Sequence, residues 1–286
     1  MITRRRFLCL TACALAPLPG HAGTVTSWEG SGLGTALSLR LAGADPHHAR
    51  QTFTRVTAEI ARIESLASLH RDSALTRLNR DGRLAWPSPD LLDLLRLAGQ
   101  VHAATGGAFD PTVQPLWLAL ADGTDSQMAR ARIGWGRVAL SDREIRLEPG
   151  QALTLNGIAQ GWAADRIAAL LRGQGFTDAL VDMGEIAALG QGGWPVVIAG
   201  PDGASFGETR LADRALATSS PQGTLVNGQP HILGPVGQPT RWQTVSVSAP
   251  SAAVADALST AFCLMPRPAI DAALARFPGA RLEVLA

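Results

Sequence analysis

Apolar and polar positions alternate over residues 36–41, with Leu37, Leu39 and Leu41 on one side, which predicts a strand. The period then changes. Phe53, Val56, Ile60, Ile63 and Leu66 recur at helical spacing and predict an amphipathic helix over 46–69. A second helix, 89–105, has Ser88 as its cap and ends at Gly106-Gly107. Shorter helical runs follow at 114–120 and 127–133, then a hairpin over 137–147 turning at Asp142-Arg143. A helix opened by Gly157 runs to Leu171 and stops at Gly173. Short apolar runs at 179–183 and 194–199 predict buried strands, and residues 201–243, rich in Gly, Pro, Thr and Ser, predict hairpins and loops. A strand at 243–247, a helix from the cap Ser251 to Leu264 stopped by Pro266, a helix over 269–277 and a strand at 281–285 complete the chain.

Strands and helices alternate without a βαβ repeat of fixed length, which predicts an α+β fold rather than a doubly wound sheet. With 286 residues, 46% of them hydrophobic, the chain can bury a large core, and no repeat or linker separates independent domains.

The formal net charge of +1 offers no basic surface for nucleic acid. All 25 basic residues are Arg, and Lys and Tyr are absent. That excludes a P-loop lysine, a Schiff-base lysine and a tyrosine general acid.

The N-terminus reads as a processing signal. Thr3-Arg4-Arg5-Arg6-Phe7-Leu8 is a twin-arginine pattern, an apolar stretch runs to Leu18, and Gly20-His21-Ala22 is a small-residue cleavage site. The stretch is too short to span a bilayer. Residues 1–22 are therefore expected to be a Tat-type export signal and 23–286 the mature domain, placed in the periplasm and peripheral to a membrane at most. Leu10-Thr11-Ala12-Cys13 also spells a lipobox, so a lipid anchor at Cys13 is the alternative. The mature chain keeps only Cys263 and cannot form an internal disulfide; in its apolar run that thiol reads as a buried small hydrophobe.

Three segments carry candidate chemistry. Asp256, Ser259 and Thr260 are spaced i, i+3, i+4 and share one helical face. Oxygen donors of this kind suit Mg²⁺, and small hydroxyls packed inward account for the pattern equally well. Gly157 and Gly161 flank a helix start, where free N–H groups favour phosphate and where close packing also demands glycine. Asp110, followed by Pro111, reads as a helix cap. Gly30-Ser31-Gly32-Leu33-Gly34 precedes a strand instead of following one, so it is not a dinucleotide fingerprint. His231 lies at the end of the loop-rich stretch.

These segments, in order, resemble the ApbE family of FAD:protein FMN transferases from about Gly30 to Leu264. The matching phrases are Gly34-Thr35, residues 72–79 (DSALTRLN), 107–113 (GAFDPTV), 157–165, Asp182-Met183-Gly184, Ala217-Thr218-Ser219, His231-Ile232 and 255–261 (ADALSTA). The resemblance implies an ApbE-like, T-fold-related mixed sheet with packed helices, one compact domain with a smaller subdomain. It implies Mg²⁺-dependent transfer of FMN from FAD to a Ser or Thr hydroxyl of a target flavoprotein, with AMP leaving.

Carried across by matching phrase, the metal set is Asp256, Thr260, Ser259 and the carbonyl of Gly157. The flavin-side contacts are Leu33, Ser68, Leu69, His70, Asp110, Thr154 and Gln160. His231 is the candidate base or phosphate contact, and Asp256 the residue whose loss removes most activity. The chain departs from the family wording at Thr154, Gln160, Gly184-Glu185 and Gly234, where the family usually has charge, a second Gly and Asp. The departures at Thr154, Gln160 and Gly234 keep open a flavin-delivery protein without turnover; a third reading is an FAD pyrophosphatase, with water in place of the target hydroxyl, giving FMN and AMP. The Asp-Met-Gly-Glu wording and the export signal resemble the branch that accompanies nitrous-oxide respiration, whose target would be a membrane respiratory flavoprotein.

Overall fold

The computed structural model describes residues 24–286; the export signal expected over 1–22, with Cys9 and Cys13, lies outside the described residues. Seven strands form the main sheet: β1 (Val25–Gly32), β2 (Thr35–Ala42), β3 (Ala179–Asp182), β4 (Ile186–Leu189), β5 (Ala215–Ser219), β6 (Val245–Ala249) and β7 (Arg281–Leu285). They stand in chain order and each is antiparallel to the next. The fold is thus a meander with excursions. Between β2 and β3 come α1 (Pro46–Ala67), α2 (Ala74–Asp81), α3 (Pro89–Ala104), α4 (Gln114–Asp122), α5 (Ser126–Arg130) and α6 (Ala159–Gly173). A hairpin, Trp194–Ala199 with Ser205–Leu211, separates β4 from β5, and α7 (Ala252–Phe262) with α8 (Arg267–Leu274) separates β6 from β7.

Strand alternation divides two cores. Leu37, Leu39, Leu41, Val181, Ala187, Ala217 and Val247 face the helices. Leu180, Ile186, Ala188 and Leu216 point the other way, against Trp194, Val196, Ile198 and Leu211 of the hairpin. Helix α7 is apolar nearly all round, and it is accordingly buried against α6, β5 and β6.

Three of the labelled elements, β1, β4 and α2, were absent from the sequence expectation. Gly30 and Gly32 dilute the alternation of β1, an edge strand. The run Ile186–Leu189 is too short to show a period. Helix α2 has only eight residues, but Ser73 starts it with a full capping box to Thr76. No helix among the described residues is long and apolar enough to cross a membrane.

Candidate functional site

The site is organised by two helix starts that touch. A Cβ on Gly161 would lie 2.3 Å from the carbonyl oxygen of Ala252, so only glycine lets α6 and α7 approach here. Close helix packing therefore explains Gly161. Ile158 gives α6 no side-chain cap, and Asp256 supplies one from α7: the Gly161 N–H donates to Asp256 Oδ2 at 3.0 Å. Asp165 of α6 accepts in turn from Ala252 N (2.8 Å), Ala253 N (3.0 Å) and Ser251 Oγ (2.7 Å) at the start of α7.

One turn along α7, hydroxyl groups converge. Thr260 Oγ1 lies 3.3 Å from Ser219 Oγ at the end of β5. Gly157 passes close to Thr260: a Cβ there would be 3.0 Å from Thr260 Oγ1 and 3.3 Å from the Phe109 ring, tight enough that either neighbour would have to shift. Thr260 thus lies against Gly157, and Asp256, one turn earlier on α7, against Gly161. The Ser259 hydroxyl is fully buried, donates to the Asp256 carbonyl at 2.9 Å and shares a 2.8 Å bond with Ser219 Oγ. Those bonds brace α7 on β5.

The sequence reading missed two carboxylates here. Glu185 is buried and accepts from Thr218 N at 3.1 Å, and Asp182 accepts from Gly184 N at 3.0 Å. Burial raises the Asp256 carboxyl to about 7 despite the Gly161 N–H, and Asp165 adds to the rise. Burial also pushes Glu185 well above the usual carboxylate range, helped by the negative charges of Asp256 and Asp182. Asp182 itself is raised by burial. No basic side chain pairs with these three groups among the described residues. The signal for Glu185 was its place after Gly184, whose φ of 93° requires glycine and turns the chain inward.

The expected flavin-side residues occupy surrounding loops. Leu33 sits at the β1–β2 tip with φ 52°, and Gln160 Nε2 of α6 donates to its carbonyl at 3.3 Å. Ser68 ends α1, and its Oγ accepts from His70 N at 3.1 Å; Leu69 is partly buried and His70 exposed. Thr154 N donates to Pro111 O at 2.8 Å, which ties the loop before α6 to the Asp110 turn. Asp110 itself is turned inward. Its Oδ1 accepts from Thr112 N (2.8 Å) and Thr112 Oγ1 (2.5 Å), and its Oδ2 lies 3.6 Å from His102 Nδ1. Capping, the plainer of the two sequence readings, is what its Oδ1 performs.

His231 Nδ1 lies 2.9 Å from Pro221 O and 3.1 Å from Thr224 O. Both partners are carbonyls, so Nδ1 carries the proton and Nε2 keeps its lone pair. Burial lowers the pKa of this imidazole, which keeps it neutral at pH 7. Pro221 is two residues from Ser219, so the histidine loop springs directly from the Thr260 contact. Gly234, where the family wording has Asp, is required by its own loop: a Cβ would lie 2.1 Å from Gln238 O. A cleft lined by Arg172, Phe176, Asp178 and Asp213 lies at the opposite end of β3 and β4 from Asp182 and Ile186, and holds none of the candidate residues.

Comparisons with known proteins bear on the fold and the family. The solved "Flavin Transferase ApbE from Vibrio cholerae" superposes with a TM-score of 0.79 at 23% identity, covering 91% of this chain and 93% of that one. The apbe protein of Thermotoga maritima gives 0.79 at 23% identity over 92% and 96%. The FAD:protein FMN transferase of Klebsiella pneumoniae (strain 342) is 29% identical over 90% of this chain and 83% of its own. That of Salmonella typhimurium is 28% identical over 83% and 77%. The model of the ApbE family matches residues 33–284, so the chain, with its paired helix starts and hydroxyl-lined turn, belongs to the ApbE family.

Proposed function

We propose that this protein transfers FMN from FAD to a Ser or Thr hydroxyl of a target flavoprotein and releases AMP, with Mg²⁺ as cofactor. The observation that carries the reading is the start of α6 meeting α7, Gly157 against Thr260 and Gly161 against Asp256, beside two further carboxyls, Glu185 and Asp182, that like Asp256 lack a basic partner among the described residues. Burial makes these carboxyls retain protons in the absence of a cation, and a divalent cation at Asp256 would displace its proton and offset the charge between carboxylate and pyrophosphate. The donors fit Mg²⁺ in kind, since all of them are oxygens. When bound, Mg²⁺ would neutralise the phosphates and the leaving AMP.

The protein's own groups have defined tasks. Asp256 and Thr260 hold the cation, with the Gly157 carbonyl as third donor. Gln160 and Leu33 position the flavin side, with Ser68, Leu69, His70 and Thr154 on the surrounding loops. His231 Nε2, unprotonated at neutral pH, accepts the proton of the incoming hydroxyl. Residues 1–22 direct export to the periplasm, 23–286 form the catalytic unit, and the target is a membrane or periplasmic electron-transfer protein.

Mass spectrometry tests the reading. A target domain bearing a Ser/Thr-Gly-Ala-Thr motif, incubated with the mature chain, FAD and Mg²⁺, gains the mass of one FMN. Free FMN and AMP with an unmodified target would establish a pyrophosphatase instead. Tight FAD binding with neither product would establish a carrier.

A further inference from the structure

Leu33 and Gly34 form the two-residue turn between β1 and β2, with φ values of 52° and 82°. Such turns favour Asn-Gly, and a leucine in the left-handed region is strained. Two side chains from different helices hold it. Gln160 of α6 donates to the Leu33 carbonyl at 3.3 Å. On the other side Leu33 N donates to Glu64 Oε1 of α1 at 3.0 Å. The second carboxylate oxygen of Glu64 accepts from Arg71 Nη1 at 3.1 Å, and the Glu64 backbone carbonyl accepts from Ser68 N at 3.1 Å. The Glu64 side chain is only 14% exposed, against 71% for Arg71.

We infer that Glu64 is a positioning residue for the flavin site, holding the Leu33–Gly34 tip and the 68–71 turn in fixed relation to the start of α6. The inference deepens the flavin-transfer reading and rests on it. Glu64 acts through Leu33 and touches no reacting atom. A strained turn held from both sides keeps its geometry before the ligand arrives, so its loss weakens FAD binding more than the chemical step. The carboxylate charge is not the essential property; an acceptor facing Leu33 N is.

The test compares Glu64→Ala and Glu64→Gln in the mature protein, by hydrogen exchange of the peptide containing Leu33 and by FAD titration with transfer kinetics. Glu64→Ala speeds Leu33 amide exchange by about tenfold or more, because the protecting acceptor is gone. It raises the KM for FAD about tenfold while kcat stays within about threefold. Glu64→Gln keeps an acceptor oxygen and stays within about threefold of wild type in both. Unchanged exchange in Glu64→Ala overturns the clamp. Faster exchange with unchanged FAD affinity, or a fall in melting temperature alone, overturns its link to the flavin. A wild-type protein that binds no FAD overturns the transfer reading and the flavin link together, while the exchange comparison still decides whether Glu64 holds the tip.

Discussion

Asp165 and Asp256 exchange helix caps: Asp165 of α6 accepts from the first N–H groups of α7, and Asp256 of α7 accepts from Gly161 N near the start of α6. Each helix start is therefore completed by the other helix. The separation of roles is informative. Asp165 spends both oxygens on α7, whereas Asp256 Oδ2 alone is used by Gly161. Asp165 thus spends its whole carboxylate on a neighbouring helix, and Asp256 only one of its oxygens.

Asp165→Ala removes three hydrogen bonds at one helix start and leaves partly buried N–H groups without an acceptor. It is expected to cost about 2–4 kcal/mol of stability. Asp165→Asn retains part of the cap and costs less. Urea unfolding of the mature chain measures both, and a loss below about 0.5 kcal/mol for Asp165→Ala would contradict the exchange of caps.

How much of this was legible beforehand depends on the range of the interaction. The helix face carrying Asp256, Ser259 and Thr260 follows from spacing alone, and so does the cap at Ser88. Sequence order could not tell that Ser259 points at Ser219, forty residues away, while Thr260 reaches Gly157. Nor could it place Glu185, whose neighbour in space is Asp256. The α+β class was legible because helical and strand periods are local. The chain-order antiparallel sheet was not, since pairing of β2 with β3 spans the whole block of α1 to α6.

Asp256→Asn separates the two tasks of that residue. The amide oxygen still accepts the Gly161 N–H, and a buried charge is removed, so stability at pH 8 stays within about 1 kcal/mol of wild type or rises. FMN transfer falls by at least about 10²-fold, through loss of the charged metal ligand. Unfolding curves beside single-turnover transfer make the comparison. Full transfer by a folded Asp256→Asn protein would sink the metal assignment.

His231→Asn keeps a donor near the Nδ1 position, and with it the bonds to Pro221 and Thr224, but has nothing at Nε2. Transfer is expected to fall by about 10²–10⁴-fold. FAD affinity, measured by flavin fluorescence, stays within about threefold. A parallel loss of affinity would reassign the imidazole to phosphate contact.

Gly234→Asp restores the residue usual in the family wording, yet it should harm this chain. The added Cβ would lie 2.1 Å from Gln238 O, backbone that cannot yield without reshaping the loop whose carbonyl also receives Arg130 Nη1 at 3.0 Å. A cost of about 1–3 kcal/mol in thermal or urea unfolding is expected. A stabilised variant would show that the loop adapts.

The metal-free protein should be more stable at about pH 5 than at about pH 8. Asp165, Asp182, Glu185 and Asp256 all have carboxyls raised above their ordinary values of 3.8 or 4.5 by burial, Asp256 to about 7. Between the unfolded and folded values the native chain binds more protons than the unfolded chain, so stability falls as pH rises through that window. His231, lowered by burial, acts in the opposite sense just below its ordinary 6.5, against Asp256 and Glu185, the two carboxyls raised furthest. The carboxylates lowered by hydrogen bonds, Asp45, Glu59 and Asp81, matter only below about pH 4.5. Each ~1 kcal/mol of the difference moves the melting temperature by roughly 2–4 °C for a chain of this size. Mg²⁺ competes with protons for Asp256, so the rise in Tm on adding it is larger at the higher pH. Calorimetry with and without Mg²⁺ across this range measures both effects, and a Tm that climbs from pH 5 to pH 8 without metal would refute the buried acidic cluster.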